Sequence, residues 1–158
     1  MKMKKELPFV SVVVPAYNEQ EFIGNCLDSL LSQEYPKHRY EIIVVDHCSV
    51  DQTFYIAESK GVKVIKCTEG RRVGAVRNQG AMIARGEVIA FIDADCIAGK
   101  KWLISAVEKL EYPNVGAVGG IYKLRKTPNW VERSWIPGNR NRDRITNSLI
   151  GGSFILRK

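Results

Sequence analysis

The chain has 158 residues, 45% of them hydrophobic, which suits one domain of the usual ~100–200 residues with a sizeable buried core. No apolar run approaches the roughly 20 residues that span a bilayer. The basic stretch Met1 to Glu6 leads only into the short run Leu7 to Val14, so neither a signal peptide nor a membrane helix is read. The formal net charge of +7 favours anionic partners such as nucleotides, lipid phosphates or an anionic membrane face, without choosing among them.

The apolar run Phe9 to Val14 predicts a first buried strand. Phe22, Ile23, Cys26, Leu27, Leu30 and Leu31 then recur at helical spacing, with Asn18 placed as N-cap and Glu21 three residues on as its capping-box partner. Glu41 to Val45 predicts a second strand, Asp51 to Ser59 a helix stopped by Gly61, and Val62 to Lys66 a third strand. A helix over about Val73 to Ala84, stopped by Gly86, precedes a fourth strand, Val88 to Ile92. Lys100 to Leu110 predicts another helix, Val115 to Val118 a fifth strand, and Gly151 to Leu156 one more. Alternating strands and helices predict an α/β domain with a mostly parallel sheet over residues 1–158. The four cysteines (Cys26, Cys48, Cys67, Cys96) form no CxxC pair, which fits reduced thiols in the cytoplasm.

In an open parallel sheet, ligands gather outside the carboxyl ends of the strands. Pro15, Ala16, Tyr17, Asn18 and Glu19 follow the first strand, Asp46 to Asp51 the second, and Asp93, Ala94 and Asp95 the fourth, so all three groups fall on one sheet edge. Two carboxylates bracketing a small residue can turn toward one hard cation, Mg²⁺ or Mn²⁺, beside a diphosphate. A bare DxD is common by chance, but this one directly follows Val88-Ile-Ala-Phe-Ile92. Asp46 ends a strand where a carboxylate can accept from a base N–H, as uracil or guanine offers; a turn or helix-capping role explains the same residue. Arg77, on a predicted helix with Asn78 and Gly80, fits plain surface as well as a site.

Together, Val10-Ser-Val-Val-Val-Pro-Ala-Tyr-Asn-Glu19, Ile43-Val-Val-Asp46, Gly74-Ala-Val-Arg77-Asn-Gln-Gly80 and Phe91-Ile-Asp-Ala-Asp95 resemble the family 2 glycosyltransferases in order and spacing. The resemblance covers about residues 9–120, the nucleotide-binding part, with a weaker acceptor part over 121–158. It implies the GT-A fold, a UDP- or GDP-sugar donor and an inverting, metal-dependent transfer to an acceptor hydroxyl. It further implies that Pro15, Ala16, Tyr17, Glu19 and Asp46 hold the nucleotide and that Arg77 lies near the donor phosphates. Asp93, Ala94 and Asp95 would then serve ribose and metal, Asp95 as the direct metal ligand.

Two departures stand out. Where the family usually carries a second Asp and a Gly after the strand-end Asp, this chain has His47 and Cys48. His47 there reads as a ligand, a proton carrier or a solvent-facing loop residue. Inverting transfer also needs a general base, which the family supplies well after the metal site. The later acids Glu108, Glu111, Glu132 and Asp143 do not resemble that motif, and Gly151-Gly152-Ser153 resembles the strand before it, so the chain is expected to stop short of the base. Between Lys123 and Arg144, seven Lys or Arg accompany Trp130 and Trp135 against Glu132 and Asp143. That composition suits a peripheral contact with the cytoplasmic face of a membrane, a lipid-linked or polysaccharide acceptor, or a solvated loop; nucleic acid fits the charge alone and is not expected. The competing functions are nucleotidyl transfer and non-catalytic nucleotide-sugar binding.

Overall fold

A computed structural model describes residues 6–67, 72–120 and 152–158. The described elements run β1 (Val10–Ala16), α1 (Ile23–Leu31), a short 3-10 turn (Lys37–Arg39), β2 (Tyr40–Asp46), α2 (Thr53–Ser59) and β3 (Lys63–Lys66). They continue through α3 (Val73–Ile83), β4 (Val88–Ile92), α4 (Trp102–Leu110), β5 (Ala117–Gly119) and β6 (Ser153–Arg157). The expected strands and helices thus all occur, with ends displaced by a few residues. The segment 123–144, and with it Glu132 and Asp143, lies outside the described residues.

The strands form one sheet in the order β3-β2-β1-β4-β6-β5. β1 to β4 are mutually parallel, while β6 pairs antiparallel with both β4 and β5. β6 is therefore the reversed strand among those described, inserted between β4 and β5. Strand periodicity divides the core between the two faces. Val10, Val12, Val14, Ile42, Val44, Val88 and Ala90 pack with α1, α2 and α4. Val13, Ile43, Val45, Ile89 and Phe91 face the other way and pack with Val76 of α3.

The capping box expected at α1 does not form. Phe22 occupies the N-cap without a side-chain hydrogen bond, and Asn18 sits in the left-handed region at φ 54, whereas an N-cap needs an extended backbone. Asn18 instead spans to the loop after β2: its N–H donates to Ser49 Oγ at 3.0 Å and its Oδ1 accepts from Val50 N–H at 2.9 Å. Glu19 N–H donates to Thr53 Oγ1 at 2.7 Å and Gln20 N–H to Asp51 Oδ2 at 3.1 Å. These bonds tie the loops after β1 and β2 into one rim. Gly61, which follows α2, has φ 69, the conformation that lets glycine end a helix.

Candidate functional site

The parallel register brings the carboxyl ends of β1, β2 and β4 together. Ala16 stands opposite Asp46, and Phe91 opposite Val13, two residues before Asp93. Pro15 and Ala16 are buried and form the floor, while Tyr17 is 57% exposed at the rim.

Asp46 is 1% exposed. Its Oδ2 accepts from Ser49 N–H at 3.3 Å, but its Oδ1 has no hydrogen-bond partner among the described residues. A buried acceptor left unmatched costs about 1–3 kcal/mol, so this oxygen is open to a further donor. His47 is half-buried. Its Nδ1 lies 3.2 Å from the Cys67 carbonyl, and its ring centroid stands 6.0 Å from that of Tyr17. It is thus a fixed part of the rim and not a freely solvated loop residue.

Cys48 has φ 55, a conformation that costs a non-glycine residue about 1–2 kcal/mol. Its thiol contacts the Cys67 carbonyl at 3.4 Å, a weak interaction. Cys48→Gly is therefore expected to raise stability by about 0.5–1 kcal/mol once the greater freedom of glycine in the unfolded chain is subtracted. Urea unfolding checks this; unchanged or lower stability would show that the thiol contact outweighs the strain.

Along β4, Ile89 and Phe91 point to the α3 face, and Asp93 continues that alternation. Arg77 of α3 meets it there, Nη2 donating to Asp93 Oδ1 at 2.5 Å. The Asp93 backbone N–H donates to the Gly152 carbonyl at 2.9 Å, just before β6. Ala94 is buried and Asp95 exposed, with Cys96 Sγ 3.5 Å from Asp95 Oδ1. Burial, and then the charges of Asp95, Asp51 and Asp93, push the Glu19 carboxyl above its ordinary pKa. The rim thus concentrates negative charge that a cation would relieve. Cys26, Cys48 and Cys96 are free thiols; burial and the neighbouring thiol and carboxylates push the Cys26 thiol up to about 12, and burial and Asp95 do the same to Cys96.

The donor set at Asp95 is hard oxygen and fits Mg²⁺ or Mn²⁺. Among the described residues no three His, Cys, Asp or Glu side chains group to hold a metal unaided. A divalent ion at Asp95 would complete its shell with water or with oxygens of a phosphorylated ligand, the usual way magnesium is held beside a substrate. A cavity of about 370 Å³ lined by Leu7, Pro8, Glu87, Val88, Leu110 and Glu111 opens at the opposite end of the strands. It shares no residue with this constellation.

All the sequence-predicted site residues thus lie along one edge. The partner of Asp93 and the part played by Gly152 were not legible in the sequence. Gly151-Gly152-Ser153 marked a strand there, but nothing local says which strand it joins.

Residues 11–155 match the sequence profile described as Glycosyl transferase family 2. The glycosyltransferase AglE of Haloferax volcanii is 39% identical over 123 residues, which is 75% of this chain and 40% of AglE. The structure of mannosyltransferase PcManGT from Pyrobaculum calidifontis in complex with GDP-Man and Mn²⁺ superposes with a TM-score of 0.70 at 31% identity, covering 75% of this chain and 37% of that one. S. aureus TarS 1-349 in complex with UDP gives a TM-score of 0.64 at 31% identity, covering 77% and 38%. TarS is named as a poly(ribitol-phosphate) beta-N-acetylglucosaminyltransferase. This chain spans less than half the length of each of these relatives.

Proposed function

The chain belongs to glycosyl transferase family 2, with the mostly parallel GT-A sheet of its structural neighbours, and from that premise we propose that it binds a nucleotide-diphosphate sugar for metal-dependent, inverting transfer to an acceptor hydroxyl. The observation that carries this reading is the buried Asp46 Oδ1 without a partner among the described residues, a ready acceptor for a base N–H. Pro15, Ala16, Tyr17 and Glu19 wall the nucleotide beside it, and Asp93, oriented by Arg77, faces the ribose.

A divalent ion, Mg²⁺ or Mn²⁺, held by Asp95 would neutralise charge on the departing diphosphate. Asp95 is suited to that task because it is exposed and outside the Arg77 ion pair. In the transfer, the acceptor oxygen attacks the anomeric carbon from the face opposite the diphosphate, the bond to diphosphate breaks, and the hydroxyl proton passes to a base. Glu108 is exposed on α4, and Glu111, just after α4, lines the cavity at the far end of the sheet. Neither is placed to act, so no base is assigned.

Support for the donor comes from relatives with GDP-Man or UDP in their described complexes. For the acceptor, the basic segment 123–144 favours an anionic one, lipid-linked or polymeric, met at the cytoplasmic face of a membrane. Among the described residues no helix is long and apolar enough to cross a membrane.

Calorimetric titration of UDP and GDP, with and without Mn²⁺, tests the donor site. Binding of one nucleotide that depends on Mn²⁺ is expected. Binding of neither under any condition overturns the reading, and donor binding with no sugar transfer to any acceptor would assign a binding module instead.

A further inference from the structure

Arg77 carries one feature that its pairing with Asp93 does not explain. Its guanidinium lies with Cζ 5.8 Å from the ring centroid of Phe154, within reach of the ring's negative face. Phe154 is in turn braced by Phe91, its antiparallel partner across β4 and β6, at 4.8 Å between ring centroids and 30° between planes. Gly152, just before β6, accepts from Asp93 N–H at 2.9 Å through its carbonyl. The reversed strand and the residue before it therefore meet this ion pair twice, through a backbone hydrogen bond to Asp93 and through an aromatic ring beside the Arg77 guanidinium.

The ring matters because Arg77 borders an acidic rim. Glu19 feels the charges of Asp95, Asp51 and Asp93, so several carboxylates share this rim. Asp95 carries no ion pair among the described residues. An arginine on a rotamer-rich stem would gain by swinging to such a carboxylate, and each excursion would set the fixed cation against a divalent ion. The Arg77 side chain is only 16% exposed, and its Nε is buried without a hydrogen-bond partner among the described residues. Among the described residues its position therefore rests on one carboxylate contact and one aromatic shelf.

We propose that Phe154 is a positioning residue for the nucleotide-sugar site: by shelving the guanidinium it holds Arg77 on Asp93 and keeps Asp95 open for the divalent ion. The inference rests on the donor-site reading above. It assigns to β6, across the sheet from the nucleotide loops, a share in donor and metal affinity.

The test measures Mn²⁺-dependent binding of UDP or GDP, whichever binds wild type more tightly, to Phe154→Leu, Phe154→Tyr and Phe154→Ala. Leucine retains apolar bulk without a π face, and tyrosine retains the ring. Phe154→Leu should weaken binding about tenfold, with more Mn²⁺ needed to reach half saturation, while Phe154→Tyr stays near wild type. In an Arg77→Met background, the leucine substitution should change affinity by less than about twofold, because no guanidinium is left to shelve. Phe154→Leu binding as tightly as wild type, or weakening binding equally in both backgrounds, overturns the positioning role and reduces Phe154 to core packing. If wild type binds neither nucleotide, the donor-site reading falls and this inference with it. Phe154→Ala reports the cost of losing the packing, and thermal melts of each variant show that it is folded.

Discussion

Asp95→Ala is expected to weaken Mn²⁺-dependent nucleotide binding by about a hundredfold or more, the loss of several kcal/mol of metal-diphosphate stabilisation, while leaving the fold intact. The two carboxylates of the strand-end motif have different surroundings. Asp93 is engaged by Arg77 and by the backbone before β6, so removing it would strand a mostly buried guanidinium. Asp95 is exposed, and its one described side-chain contact is the Cys96 thiol at 3.5 Å. Its removal also lifts one of the charges that raise the Glu19 pKa, so stability should stay within about 0.5 kcal/mol of wild type or rise. Calorimetry with and without Mn²⁺, alongside urea unfolding, separates the two effects. Undiminished metal-dependent binding would remove Asp95 as a ligand, and a collapse in stability would mean that its role is structural.

Gly80→Ala is expected to cost about 1–3 kcal/mol of stability, although alanine is the better helix former by about 0.8–1 kcal/mol. A Cβ at Gly80 would come within 2.3 Å of Val13 Cγ1 and 3.0 Å of Val45 Cγ2. Both valines are fully buried strand residues with stiff side chains, so the helix must lift off the sheet. Gly80 lies three residues after Arg77, on the neighbouring turn of α3. Lifting that turn draws the guanidinium away from Asp93, and nucleotide affinity should fall along with stability. Urea unfolding gives the first effect and calorimetry the second. Wild-type values in both would show that α3 tolerates the added methyl group, and the close approach would then not be what places Arg77.

Much of the fold was legible in the sequence because strands buried in a parallel sheet read as apolar runs and their crossovers as helical periodicity. Val10 to Val14, Ile42 to Val45 and Val88 to Ile92 carry that signal with little interference. The α1 start was misread because Asn18 and Glu21 have the spacing of a capping box, while Asn also tolerates the left-handed backbone. Ser49 and the Val50 N–H, more than thirty residues away, took its hydrogen bonds instead. Nothing within one turn of Asn18 could decide between the two uses.

The candidate site divides the same way. The placing of Asp46, Asp93 and Asp95 on one edge followed from the sequence alone, because successive right-handed crossovers bring the ends of β1, β2 and β4 together there. Tertiary structure decided how they differ: among the described residues Asp93 pairs with Arg77, Asp95 has no ion pair, Asp46 Oδ1 is buried without a partner, and Phe154 lies beside the guanidinium. Periodicity and composition are properties of neighbours in the chain, so they specify elements and the residues at their ends. Which carboxylate meets which cation depends on β6 entering the sheet between β4 and β5 and on how closely Gly80 lets α3 approach. Those contacts join residues far apart in sequence, and only the packed sheet brings them together.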